Sequence, residues 1–528
     1  MRNFHFPGRS QVYSSNAMAA TSQPLASETA IDTLKKGGNA MDAAISAAAV
    51  LAVIEPTDTG IGGDCFALYS KKSITNPIAF NGSGKSPANI SINKLNNLKI
   101  DKSIPDHSPH SITIPGAVDA WFQLHEKFCN LEFEELIKPA IEFAENGYFV
   151  HERLSYTWSN NIKRLQNSFA KSIFLNNKQP PLPGQKMHNL ALAKVLKIIS
   201  KNGRKGFYEG LVTKKIVSFL NNLGGFHTEE DFFKTKGNFV EPIKGTYREK
   251  DIFQLPPNTQ GIISLLILKI LNNFYISDYQ TDDPDRVHLL IEAAKIAYFY
   301  RNELLGDINS SELIMQILNN EDFIKSLSKN INLNKASDSL PPIPSLGSNT
   351  VYLTVVDRDL NAASFINSIY EPFGSGLVPP ETGILLQNRG KSFSLIKDHP
   401  NCLGPSKRPM HTIIPGMVFE KNKLFMSYGV MGGDYQPMGH SDVLSSILDH
   451  NLSFQEALDK PRFLPINNIV EVEEGISKYL EDKLIQKGHT ISRATHPHGG
   501  GQIISIDHKN GRLTGASDPR KDGIALGY

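Results

Sequence analysis

The order of signals along this chain constrains its fold more than any single total does. Residues 331–349, INLNKASDSLPPIPSLGSN, carry three prolines among small polar residues. Proline lacks an N–H and small polar side chains compete for backbone bonds, so the segment reads as an exposed linker. Directly after it, Thr350–Asp357, TVYLTVVD, is a β-branched and aromatic run of the kind that suits a pleated strand. Further strands are expected at Ala362–Ile369, Thr412–Phe419 and Lys423–Tyr428. The part beyond 350 has too few helices to cover the sheet it implies. Both sides of the linker must therefore share one layered core of helices and sheets.

The earlier part supplies those helices. Residues 39–54 predict a buried helix, with Asn39 as its cap, Asp42 in the first turn and Glu55-Pro56 as its stop. Its alanines allow a neighbouring element to approach closely. Gly60, Gly62 and Gly63 follow, then a short strand over Cys65–Tyr69. Residues 111–220 carry apolar positions at helical spacing, such as Ala117, Trp121 and Leu124, up to the break at Gly224-Gly225. Residues 262–305 predict two more helices, the first apolar nearly all round and hence buried.

Composition excludes several classes of function. Lys plus Arg number 55 against 53 Asp plus Glu, which leaves no basic field for nucleic acid. Cys65, Cys129 and Cys402 form no CxxC pair and no disulfide framework. The opening MRNFHFPGRSQVYSSN has no apolar core of a secretory signal, and the longest apolar stretch, Ala43–Ile54, is 12 residues, too short to span a bilayer. The expectation is a soluble cytoplasmic protein with no nucleic-acid or membrane partner.

A linker that runs into a strand beginning with Thr has a chemical reading. A threonine hydroxyl needs a base beside it to act as a nucleophile. Cleavage before Thr350 would free an α-amine of pKa about 8 within the same residue. On local sequence alone an ordinary loop-to-strand junction accounts for the pattern better.

The wider sequence changes that balance. PLASETAIDTLKKGGNAMDAAISAAAVLAVIEPTDTGIGGDCFALY (24–69), SITIPGAVDAW (111–121), QLPPNTQGI (254–262), NTVYLTVVDRDLNAA (349–363), FGSGLVPPETGILLQN (373–388), KRPMHTIIP (407–415), GVMGGD (429–434) and GASDPR (515–520) occur in series. With them the chain resembles the γ-glutamyltranspeptidase family of N-terminal-nucleophile hydrolases, nearly end to end. The resemblance implies an α+β fold, a four-layer αββα sandwich. It implies self-cleavage between Asn349 and Thr350 into a large piece, 1–349, and a small piece, 350–528. These would stay intertwined as a heterodimer, with further oligomerisation left open. Thr350 would be the nucleophile, and Ser368 would hydrogen-bond it where the family has Thr. Gly432 and Gly433 would aim backbone N–H groups at the oxyanion, with nothing on Cα to block approach. Neither a metal nor an organic cofactor is implied.

The resemblance breaks at the residues that hold a glutamyl head. Ser83 stands where the family has an Arg, and a serine cannot replace a bidentate clamp on a carboxylate. Tyr370 replaces an Asn, Ser392 an Asp, and His411 and Thr412 a pair of serines. Arg389 is the candidate replacement carboxylate binder, and Tyr370, His411, Thr412 and Ser392 are candidates for the substrate pocket. This pattern is similar to the acylase and amidohydrolase branch, with its oxamate amidohydrolase and cephalosporin-acylase members. The expected substrate is a small amide that bears a carboxylate. The alternatives are a genuine γ-glutamyltransferase acting on glutathione and an unprocessed, non-catalytic binding protein.

Other patterns carry less. GSGKS at 82–86 lacks the upstream glycine of a phosphate-binding loop, since that position is Ala79, and Pro87 blocks the helix start. The pairs His107/His110 and His496/His498 have no carboxylate at ligand spacing, and His498-Gly499-Gly500-Gly501 has no GxSxG elbow to accompany it.

Overall fold

The computed structural model describes residues 8–337 and 350–528. Asn349, and with it one side of the expected scissile bond, lies outside the described residues, as does linker 338–349.

Two antiparallel seven-stranded sheets form the middle of the molecule. In chain order their strands are β1 (Val12–Ser14), β2 (Met18–Thr21), β3 (Asp64–Ser70), β4 (Ile78–Gly82), β5 (Asn238–Val240), β6 (Ile243–Tyr247), β7 (Lys250–Gln254), β8 (Val351–Val356), β9 (Ala362–Ser368), β10 (Gly416–Glu420), β11 (Lys423–Met431), β12 (Gly500–Asp507), β13 (Arg512–Ser517) and β14 (Ile524–Gly527). One sheet runs β14-β2-β8-β9-β3-β4-β5 and the other β1-β13-β12-β11-β10-β7-β6. Each sheet thus interleaves strands from before and after residue 350.

Period-two alternation assigns each side chain of β8 to a layer. Val351, Leu353 and Val355 join the core under helices α1 (Pro24–Lys35) and α2 (Ala40–Ile54). Tyr352 and Val356 join the apolar layer between the sheets, with Met417, Phe419 and Ile504 of the facing sheet. Helices α3 (Gly261–Leu271), α4 (Pro284–Leu304) and α5 (Tyr435–Leu448) cover the far side of that facing sheet. The order is helix, sheet, sheet, helix, as expected of the αββα sandwich.

Helix α2 forms as its sequence predicts. The Asn39 side chain accepts from Met41 and Asp42 amides, and Asp42 accepts from Asn39 in return. Ser46 donates to the Leu136 carbonyl at 2.8 Å, which shows how closely the small residues let the next helix approach. One expected strand is shorter than predicted. The pairing begins at Gly416 rather than Thr412, because side chains take the ladder's place before it. Gln260 binds the Thr412 carbonyl and Gln436 receives the Ile414 amide.

The register between the sheets places the start of β8. Thr354 donates to Ser427 at 2.6 Å, and Gly429 lies against the Tyr352 ring. Thr350 lies two residues before Tyr352, and the Gly432-Gly433 turn begins three residues after Gly429. A Cβ on Gly429 would come within 2.5 Å of the Tyr352 ring. Gly429→Ala is therefore expected to cost about 1–3 kcal/mol by forcing the sheets apart. The checking measurement is a urea titration, which should show a lower midpoint at unaltered slope.

Candidate active site

Thr350 is 1% exposed at the head of β8. Its Oγ1 lies 3.1 Å from Ser368 Oγ at the end of β9. The antiparallel pairing Val351↔Asn367 brings these two hydroxyls together. Ser368 Oγ accepts from the Tyr370 amide at 2.9 Å and, more distantly, from Arg389 Nη2 at 3.4 Å. Tyr370 adopts φ +84°, a backbone conformation that costs a non-glycine residue energy and tends to occur where geometry is over-determined.

Arg389 is fully buried, on the short 3₁₀ turn Arg389–Ser392. Its Nη1 donates to Thr412 Oγ1 at 2.9 Å, and its guanidinium carbon sits 3.9 Å from the Tyr370 ring centre. Among the described residues no ion pair joins it to a carboxylate, and its Nε has no hydrogen-bond partner. Burial pulls its pKa down to about 10, against the raising influence of Tyr370, Asp64 and Glu371. It still carries its charge at neutral pH. A buried cation without a counter-ion is costly, and the geometry leaves it ready for an anion.

The Gly432-Gly433 turn links β11 to α5. Gly432 has φ +122° and Gly433 φ +57°, the region glycine enters most easily. Their carbonyls accept from Tyr435 and Gln436 amides. Their own amides donate to nothing among the described residues. Gln260 anchors the turn by donating to Gly433 O at 2.8 Å and Thr412 O at 2.7 Å. Arg301, fully buried, donates to Gln260 Oε1 at 2.9 Å and Asp434 Oδ1 at 2.6 Å. Hydrogen bonds therefore run from Thr350 through Ser368, Arg389, Thr412 and Gln260 to Gly433.

His411 and Ser392 join that network through backbone groups: the Gln260 amide donates to His411 O at 3.0 Å, and Ser392 reaches the Arg389 carbonyl. His411 is fully buried, with Nε2 3.2 Å from Asp64 Oδ2. Burial, with the Arg389 charge, lowers its pKa to about 3, so the imidazole is neutral. Asp64 also accepts from the Gly84 and Gly116 amides and from Gln387. The Ser392 hydroxyl donates to Arg389 O and Met410 O and so holds the Arg389 turn. Ser83 Oγ donates to Asn81 at 2.7 Å.

Sequence reasoning missed Gln260, Arg301, Asp434 and Asp64 as site supports. Three lie inside quoted motifs, but their partners are far away in sequence: Gln260 meets Gly433 across 173 positions. It also missed the buried trio His288, Glu292 and His489, whose possible ligand atoms lie within 4.8 Å of one another. Here His288 Nδ1 is 2.7 Å from His489 Nε2, and Lys295 donates to Glu292 at 2.8 Å. His107 bonds the Ser375 carbonyl, and His496 bonds Tyr156. Among the described residues no helix is long and apolar enough to cross a membrane.

Residues 26–528 match the family model described as gamma-glutamyltranspeptidase. The chain is 35% identical to a glutathione hydrolase-like YwrD proenzyme of Bacillus subtilis (strain 168), over 98% of this chain and 99% of that protein. It is 31% identical to an oxamate amidohydrolase proenzyme of Klebsiella pneumoniae subsp. pneumoniae, over 98% of this chain and 99% of that protein. The crystal structure of a cephalosporin acylase from Bacillus halodurans superposes with a TM-score of 0.93 at 35% identity, over 100% of this chain and 99% of the other. The fold and a match that spans nearly the whole sequence agree: the chain belongs to the γ-glutamyltranspeptidase family, N-terminal-nucleophile enzymes that hydrolyse amides or transfer acyl groups.

Proposed function

We propose that this enzyme cleaves itself before Thr350 and then hydrolyses small amides whose acyl half carries a carboxylate. The observation that carries the reading is the placement of an unpaired, buried Arg389 two hydrogen bonds from Thr350 Oγ1.

In the first step Thr350 Oγ1 attacks the Asn349 carbonyl carbon and the C–N bond breaks. Water then hydrolyses the ester, leaving pieces 1–349 and 350–528 and a free α-amine on Thr350. In turnover that amine takes the hydroxyl proton as Oγ1 attacks the substrate carbonyl. The amides of Gly432 and Gly433 receive the oxyanion. The amine returns the proton to the leaving nitrogen as its C–N bond breaks, and water releases the acyl group by the same route in reverse. Ser368 orients Oγ1. Arg389 holds the carboxylate, with Tyr370 against its face and Thr412 fixing its position.

A short acyl half such as that of oxamate fits an arginine so near the nucleophile. Glutathione hydrolysis is the second reading, favoured by the name of the Bacillus subtilis relative. Against it, a glutamyl ammonium needs a carboxylate. Asp64 is engaged by His411 and three N–H donors, and Glu371 by Arg164, Lys391 and Asn388.

Intact-mass analysis should show two pieces split at Thr350 for the wild type, and one 58.4 kDa chain for Thr350→Ala. A wild type that stays whole would overturn the reading. Ammonia release from oxamate, with glutathione inert, is the expected substrate result. Arg389→Lys keeps charge but loses the planar fork, and kcat/KM for the carboxylate-bearing amide should fall about 100-fold, equivalent to roughly 3 kcal/mol. The pH profile follows from the charge states. Arg389, at about 10, and His411, at about 3, do not titrate between pH 5 and 9. kcat/KM should rise with pH along a single limb near the amine pKa of about 8.

A further inference from the structure

A cleft of about 250 Å³ opens beside the active-site turn. Gly432 forms part of its wall, whereas Arg389 and Tyr370 do not. Its lining includes Leu154 and Thr157, the loop around His496, and Glu55, Asp58 and Lys521. Gly499 packs directly on Gly432, so the loop wall and the turn are one surface.

The two halves of an amide leave its trigonal carbonyl carbon about 120° apart. With the acyl half directed to Arg389 and the carbonyl oxygen at the turn, the amine half is directed to this cleft. Asp58 is 2% exposed there, and its Oδ1 has no hydrogen-bond partner. Its other oxygen accepts from Thr57 at 3.1 Å and lies 3.6 Å from Lys521 Nζ, too far for a hydrogen bond. A buried carboxylate oxygen left idle costs free energy that a bound N–H donor would recover. The neighbouring charges do not fill that role. Arg520 is held by Glu473 and Asp518. The Asp522 carboxylate accepts the Arg153 and Leu154 amides. Burial, and next the Asp58 charge, push Glu55 up to about 8; burial raises Asp58 as well, while the Lys521 ammonium beside it favours its charged form.

We propose that this cleft binds the amine half of the substrate, and that Asp58 selects amines carrying a second, protonated nitrogen. The proposal rests on the reading of Thr350 and Gly432 given above. Asp58 acts by binding; the proton and bond changes remain those at Thr350.

The test compares N-(2-aminoethyl)oxamate with N-(2-hydroxyethyl)oxamate, and the corresponding γ-glutamyl amides, on the processed enzyme at pH 7. The wild type should favour the aminoethyl compound by about tenfold or more in kcat/KM. In Asp58→Asn the ratio should fall to about one, with intact mass confirming that the variant is processed. Asp58→Glu should keep part of the preference. Cleavage of both compounds with a wild-type ratio near one, or a ratio that survives in Asp58→Asn, would overturn the proposal while leaving the amidase reading standing. If no amide is cleaved, the amidase reading fails instead, and calorimetry with 1,3-diaminopropane judges the cleft alone. Binding to the wild type at least tenfold tighter than to Asp58→Asn supports it, and equal or absent binding removes it.

Discussion

The contact between Tyr352 and Gly429 is the constraint on which the site depends. A tyrosine ring fills the gap between the two sheets only because the facing residue has no side chain. That contact, with the Thr354–Ser427 hydrogen bond, sets the level of one sheet against the other. Side chains alternate between faces in steps of two, so these pairs fix which face of each strand meets the other sheet. Thr350 immediately precedes the strand that this packing holds, and Gly432 immediately follows the strand that faces it.

Around that frame the buried charges divide into two kinds. Asp64, Arg301 and Asp434 are surrounded by partners and hold backbone in place. Arg389 and Asp58 are buried but keep an atom without a hydrogen-bond partner. Desolvation makes such groups costly in an empty site. Of the two, only Asp58 lines the cleft that Gly432 borders. On the proposed reading, an anion-binding end at Arg389 and an amine-binding end at Asp58 would serve the two halves of the substrate of Thr350. That polarity gives a physical basis for orienting an asymmetric amide.

Much of the architecture was legible because local physics suffices for it. The Asn39 capping box, the alanine-rich α2 and the all-apolar α3 each follow from a few adjacent residues. The strand starts after 412 because side chains of Gln260 and Gln436, 152 and 22 positions from the groups they bind, intercept the backbone groups that would have joined the ladder. The substitutions at Tyr370, Ser392, His411 and Thr412 were visible as departures from a family pattern, but their consequences were not. Thr412 and Tyr370 contact Arg389, Ser392 braces its turn, and His411 pairs with Asp64 instead.

By itself, then, the sequence determined the layered α+β class, the position of Thr350 at the junction of linker and strand, and the family to which the motifs belong. These are matters of periodicity, turn chemistry and residue order, which short stretches of chain encode. Which polar groups would be left without partners was decided only by the tertiary structure. Burial and hydrogen bonding depend on the approach of residues up to hundreds of positions apart, as with His411 and Asp64 across 347. Nothing in the local sequence around Arg389 or Asp58 distinguishes a polar group whose every atom folding will satisfy from one that keeps an atom without a hydrogen-bond partner.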